Sequence, residues 1–204
     1  MAVRVGQSAP DPIFSSMFKK FFLFIWEFAK VAAISLAIII PVRYFLIQPF
    51  YVKGASMEPN FHDKEYLIIN EIGYRFEEPK RGEVVVFRYP KDPQEYFIKR
   101  IIALPGEEVQ IKEGRVTVYN EENPNGLLLD EPYLGNGTLT VASTDEKTAL
   151  GEDEFFVLGD NRTASLDSRV FGPLKRSFII GKVWWRGWPI SRMAVFGEDD
   201  LPKY

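Results

Sequence analysis

Two residues of this 204-residue chain can supply a nucleophile and its base: Ser56, within Gly54-Ala55-Ser56-Met57-Glu58-Pro59, and Lys99, within Tyr96-Phe97-Ile98-Lys99-Arg100. A serine hydroxyl attacks a carbonyl only when a neighbour takes its proton. His62 is the sole histidine and cysteine is absent, so the base is either that imidazole or an unprotonated lysine. A strand period of two places Phe97, Lys99, Ile101 and Ala103 on one largely apolar face. Desolvation there disfavours the ammonium and lowers a fully buried lysine by as much as about 3–5 pKa units. Taken alone, the same residues fit a lysine that reaches the strand edge and keeps its charge, and a serine in a solvated turn. His62-Asp63-Lys64 reads as a charged turn, which makes serine–histidine chemistry the weaker alternative.

Small residues before Ser56 admit a substrate backbone, and N–H groups of such a turn, those of Ser56 and Gly54, can face a developing oxyanion. Each such donor is worth about 2.7–4 kcal/mol in a transition state. A third segment, Leu158 to Arg169, gathers Asp160, Asn161, Arg162, Ser165, Asp167 and Arg169 behind an apolar run. Ser165 can hydrogen-bond a neutral lysine amine, and the charged residues can pair to brace the loop; an exposed polar turn fits the same letters. With one histidine and no cysteine, a zinc site would need mostly carboxylates, so neither metal nor cofactor is expected. A net charge of -3 and a pI near 5.4 lack the basic surface of a nucleic-acid binder.

The elements that must position these groups begin with an apolar run, FFLFIWEFAKVAAISLAIIIPV from Phe21 to Val42, interrupted only by Glu27 and Lys30. Its length suits a helix across a ~30 Å hydrocarbon core; a buried helix of a soluble domain is the alternative. The expected layout is residues 1–20 as a short cytoplasmic N-terminus, 21–43 as a membrane span ended or bent by Pro41, and 44–204 as an extracytoplasmic β-rich domain. Beyond the span, short β-branched and aromatic runs predict strands at 65–69, 83–89, 96–104, 109–111, 116–119, 155–158 and 182–185. Glu113-Gly114 predicts a hairpin turn. No long amphipathic helix follows residue 50, so the fold class is mainly β: an antiparallel, partly closed domain, with a loop or ribbon excursion at about 120–151. Trp184, Trp185 and Trp188 fit either a core or an aromatic patch in the headgroup layer.

Taken in order, these segments resemble the type I signal peptidases, membrane-bound serine proteases with a Ser-Lys dyad. Ser56 falls on the family's S-M-x-P motif, and Arg81 to Phe87 on its R-G-D-x-V-V-F strand, with Glu83 in place of Asp. Tyr96 to Gly106 and Gly159 to Arg169 match its two remaining motifs, and Glu131-Pro132-Tyr133 also fits. The resemblance implies Ser56 as nucleophile, Lys99 as general base, Ser165 as orienter of the amine, Arg100 beside the site, and Asp167 with Arg169 as a structural pair. Where some members carry an oxyanion-assisting serine this chain has Gly54, which leaves that role to backbone N–H groups; Thr163-Ala164 stands where many have Asp-Asn. The implied activity is removal of signal peptides from exported preproteins after Ala-x-Ala sequences, the peptide lying as an added strand. Apolar residues such as Phe50, Tyr51, Val52 and Val86 are candidates to line the small pockets. The implied partners are signal peptides and the lipid bilayer, at a plasma membrane or, in a photosynthetic source, a thylakoid. An inactive, membrane-anchored peptide-binding scaffold is the alternative.

Overall fold

The structure is a computed structural model that describes residues 12–45, 47–135 and 137–202, with side chains described from 19 to 40 and from 49 onward. The chain divides into two units, 1–44 and 45–204. In the first, helix α1 (Pro12–Phe45) runs past Pro41 and beyond both limits expected for the span. Lys19–Ile40 is long and apolar enough to cross a membrane. Its side chains are exposed almost throughout, with Phe22 at 70%, and Glu27 and Lys30 pair at 2.7 Å one turn apart.

The second unit is built from strands. In chain order they are β1 (Ile47–Tyr51), β2 (Tyr66–Asn70), β3 (Val84–Tyr89), β4 (Asp92–Ala103), β5 (Glu108–Lys112) and β6 (Arg115–Tyr119). There follow β7 (Leu127–Leu128), β8 (Thr148–Ala149), β9 (Glu154–Leu158), β10 (Leu174–Lys175), β11 (Ile179–Trp188) and β12 (Ala194–Val195). A four-residue helix, α2 (Ser168–Phe171), lies between β9 and β10. All pairings are antiparallel. One sheet runs β1-β2-β11-β3-β4-β9-β10 with β12 beside β11; the other runs β7-β6-β5-β8. Neither closes on itself, so the expected partial closure gives way to two open sheets, each ending in edge strands. The excursion at 120–151 is not a free ribbon: β7 and β8 add one short strand to each side of the β5–β6 hairpin.

Alternation explains the strands that face one core: β2 and β6 bury every second residue, as expected where one face of a sheet is packed. The β5–β6 turn needs positive φ at both central positions, and Glu113 and Gly114 have φ of 52° and 78°. Strand β4 departs from simple alternation. Arg100 and Ile101 pair with Leu158 and Val157, but Ala103 pairs with Phe156, which leaves Ile102 as an extra residue. This bulge breaks the period of two. Ala103 therefore leaves the Lys99 face and packs with Ile102 among Val109, Val118 and Leu158, whereas Ile101 stays with Val85, Phe87 and Leu174. A third cluster, Val52, Met57, Phe61, Leu67, Ile69, Val86 and Val183, lies beneath the Ser56 loop. Of the three clustered tryptophans, Trp184 and Trp188 are exposed, at 44% and 52%. Trp188 pairs in register with Tyr66, which pairs with Tyr51, so three aromatic residues form a row across β11, β2 and β1.

Phe87, fully buried, joins the β3 side of the sheet to Phe97 and Phe171. Phe87→Ala is expected to cost about 3–5 kcal/mol, read as a lower denaturation midpoint of the detergent-solubilised protein.

Candidate active site

Ser56 lies in a tight turn fixed on both sides by the core. Met57 and Phe61 are 1% and 2% exposed and anchor it in the third cluster. The N–H groups of Asn60 and Phe61 both donate to the Met57 carbonyl, at 3.0 and 2.9 Å. Apolar residues flanking Ser56 thus bury their side chains and leave the serine at the surface of a cleft. Gly54, before it, has φ of 92°, a conformation glycine adopts without strain and a serine there would not. Its N–H donates to Asp63 Oδ1 at 2.8 Å, so it is not open to an oxyanion as the sequence led us to expect. Among the described residues nothing accepts the Ser56 N–H, which leaves it as a backbone donor beside the nucleophile.

Lys99 reaches the site from β4. Val85 pairs with it on β3, and its side chain is 3% exposed. Nζ lies 2.8 Å from Ser56 Oγ and 2.7 Å from the Ile98 carbonyl oxygen. Burial pulls its pKa down from 10.5 to about 8, against the opposing pull of the Asp167 and Asp160 carboxylates. When the amine is neutral its lone pair can accept from the hydroxyl across the same 2.8 Å. The arrangement is fit for nucleophilic attack and acyl transfer.

Behind the pair, residues 159–169 form a loop held by buried ions. Arg100, next to Lys99 but on the opposite face of β4, donates to Asp160 from Nε and Nη2 at 2.9 and 2.6 Å, and from Nη1 to the Gly82 carbonyl. Its guanidinium also stacks on Tyr133, 4.0 Å from the ring centre. Arg162 donates to both oxygens of Glu131 and to the Thr140 hydroxyl. Arg169 grips Asp167 through Nε and Nη2 at 2.8 and 2.7 Å, while Asp167 also accepts the Gly159 N–H. Burial pushes the Asp167 carboxyl up, but the Arg169 guanidinium and the Gly159 N–H outweigh it and hold the group below the usual carboxylate range.

Ser56 and Lys99 are therefore in contact, and Asp167 and Arg169 pair with one another. Arg100 faces Asp160. Ser165 Oγ is buried with no hydrogen bond to the lysine, and lies close enough to the Asp167 carboxylate to help hold it charged. It packs against Gly159, where an added Cβ would stand 2.1 Å from Ser165 Oγ and 2.5 Å from the Ser56 carbonyl oxygen. His62 turns away to Glu58 at 3.4 Å. Asn161 is the residue the sequence reading passed over as a positioner: its N–H donates to the Ser56 carbonyl at 3.0 Å and its Nδ2 to the Ala55 carbonyl at 3.1 Å.

A cleft of about 560 Å³ opens beside the pair, lined by Phe50, Tyr51, Val52, Val86, Ile98 and Leu166 among others. Strand β1 is an edge strand, and β4 is paired only by β3 until Arg100 meets Leu158. Both therefore present free backbone edges at the cleft.

A half-buried serine against a desolvated lysine, in an apolar cleft on a β-scaffold, is an arrangement suited to lysine-assisted acyl transfer. The family model for signal peptidase, peptidase S26, matches residues 25–188. A probable signal peptidase I-2 from Synechocystis is 35% identical over 178 residues, 85% of this chain and 78% of that one. Signal peptidase IB of Staphylococcus aureus is 34% identical over 174 residues, 78% of this chain and 87% of its own. A crystal structure of a signal peptidase I from Enterococcus faecalis superposes with a TM-score of 0.43 at 28% identity, covering 52% of this chain and 97% of that one. The chain belongs to the signal peptidase family, peptidase S26.

Gly159→Ala tests the close packing behind the nucleophile. The methyl group has no room beside Ser165 and the Ser56 carbonyl, so the turn must move; the expected result is at least a tenfold loss of kcat/KM, since small misplacements of reacting groups are costly. Circular dichroism and the melting midpoint check that the sheets persist.

Proposed function

We propose that this protein is a membrane-anchored serine endopeptidase that removes N-terminal signal peptides from exported preproteins by a Ser56–Lys99 mechanism. The observation that carries it is the 2.8 Å contact between Ser56 Oγ and a lysine amine whose pKa burial lowers to about 8. Family membership supports the substrate class.

In this reading the substrate enters as an extended strand against the free edges of β1 and β4, exchanging main-chain hydrogen bonds with them. Val52, Val86 and Ile98 narrow the cleft near Ser56 and favour small side chains before the scissile bond, the Ala-x-Ala pattern. Ser56 Oγ attacks the carbonyl carbon while neutral Lys99 takes the hydroxyl proton. The Ser56 N–H stabilises the oxyanion. Lys99 returns the proton to the leaving amine, the C–N bond breaks, and a water deprotonated by Lys99 then hydrolyses the acyl-enzyme and regenerates the serine. Ser165 stands behind this pair and Asp167 with Arg169 fixes the loop that carries it. Helix α1 anchors the chain, with residues 1–20 cytoplasmic and 44–204 on the extracytoplasmic face of a plasma or thylakoid membrane.

Incubating the solubilised protein with an Ala-x-Ala preprotein is expected to yield one cut, after the second alanine. Ser56→Ala and Lys99→Ala should each lower the rate by at least about a thousandfold, and His62→Ala should leave it unchanged. Below the lysine pKa the base is mostly protonated, so kcat/KM should rise about tenfold per pH unit and level off above pH 8. Binding without cleavage by the unmodified protein would favour the scaffold alternative. Protease added outside sealed cells is expected to digest the C-terminal part; its protection would reverse the orientation.

A further inference from the structure

Asn60 takes no part in the acyl transfer, yet its side chain closes a ring around the nucleophile. Its Nδ2 donates to Asp160 Oδ2 and to the Tyr133 carbonyl, both at 2.8 Å, so both amide hydrogens are used. Its own carbonyl accepts from Arg186 Nη1 at 2.7 Å and from Arg192 Nη2 at 3.0 Å. Asp160 is 2% exposed, and the residue after it, Asn161, holds the other end of the turn through the Ala55 and Ser56 carbonyls. One dipeptide, Asp160-Asn161, therefore grips the turn at both ends, Asn60 on one side and Ala55-Ser56 on the other.

The same Asp160 carboxylate is forked by Arg100, the neighbour of Lys99 in β4. Asp160 is thus the common support of the two elements that carry nucleophile and base. Inside the turn itself the main chain supplies only short-range hydrogen bonds, Glu58 N–H to Ala55 and those to the Met57 carbonyl. These shape the turn but do not locate it against β4. Beside the grip of Asn161 and the packing of Met57 and Phe61, a polar link from turn to strand runs through the Asn60 amide.

We infer that Asn60 is a positioning residue of the dyad, its amide setting Ser56 Oγ against Lys99 Nζ through Asp160. A neutral amide suits the place, because a carboxylate of the same shape would meet Asp160 as a like charge and an apolar isostere would leave both acceptors without this donor. A merely structural asparagine would affect folding, and activity only in proportion to the folded fraction. A positioning asparagine changes the rate of the bond-making step while the substrate, held by β1 and β4, still binds.

The kinetic arm rests on the peptidase function proposed above; the structural arm does not. Full-length Asn60→Leu in detergent, with the same preprotein, is expected to lose at least tenfold in kcat with KM within twofold and its melting midpoint nearly kept. Its crystal structure should show Ser56 Oγ and Lys99 Nζ beyond hydrogen-bond reach, in place of 2.8 Å. Asn60→Ser, which keeps one donor, should recover part of the lost kcat. A kcat within twofold of the unmodified protein with the 2.8 Å contact intact would overturn the inference, as would a loss shared equally by the leucine and serine variants and matched by the folded fraction. Should Asn60→Leu not fold, Asn60→Gln, whose amide is displaced by one methylene, decides by the same two readings. If the unmodified protein cleaves no preprotein, the proposed function fails, and the Ser56–Lys99 distance in the variants still decides the role of Asn60.

Discussion

The site depends on keeping one amine out of water. Moving Lys99 from a pKa of 10.5 to about 8 takes about 3 kcal/mol from the usual preference for the ammonium. The surrounding negative charge opposes that shift. Asp160 and Asp167 both favour the ammonium, and unpaired carboxylates at those positions would favour it more. Each is instead matched by its own guanidinium, Arg100 for Asp160 and Arg169 for Asp167. The arginines near the site thus act on the lysine indirectly, by occupying the anions beside it.

Those pairs also explain how an irregular segment can hold catalytic geometry. Residues 159–167 have no strand ladder to satisfy their backbone, so side chains do it: Asp167 takes the Gly159 N–H and Asn161 reaches across to Ala55 and Ser56. Buried ion pairs seldom add much net stability, because desolvation offsets their attraction. Their contribution here is to single out one arrangement, since each guanidinium fork fits only one placement of its carboxylate. Gly159 completes the fit by allowing Ser165 and the Ser56 carbonyl to approach more closely than any side chain would permit.

The cleft follows from the order of strands. Because β9 joins β4 only from Arg100 onward, the stretch of β4 before it keeps an open edge, and β1, at the end of the sheet, keeps another. The bulge at Ile102 separates the two regimes: before it, β4 presents Lys99 to the cleft, and after it, the strand turns Ile102 and Ala103 into the core beneath the smaller sheet. The bulge is silent in the letters, because Ile101-Ile102-Ala103 reads equally well as a plain strand.

The sequence by itself marked most of the elements and narrowed the candidate chemistry. Its lack of cysteine and single histidine restricted the base to His62 or Lys99, the apolar neighbours of Lys99 favoured the lysine, and the β-branched runs and Glu113-Gly114 marked strands and a hairpin, all local properties that need no partner. Tertiary structure decided what depends on meeting across long separations. It left the sheets open, bound the Gly54 N–H to Asp63, left Ser165 without a hydrogen bond to the lysine, and set Arg100 on Asp160. Asn60 lies 2.8 Å from Asp160, a hundred positions later in the chain. Such a contact is written in neither residue, because it exists only once β2, β11, β3, β4 and β9 have joined in one sheet and brought the loops after β1 and β9 to the same place.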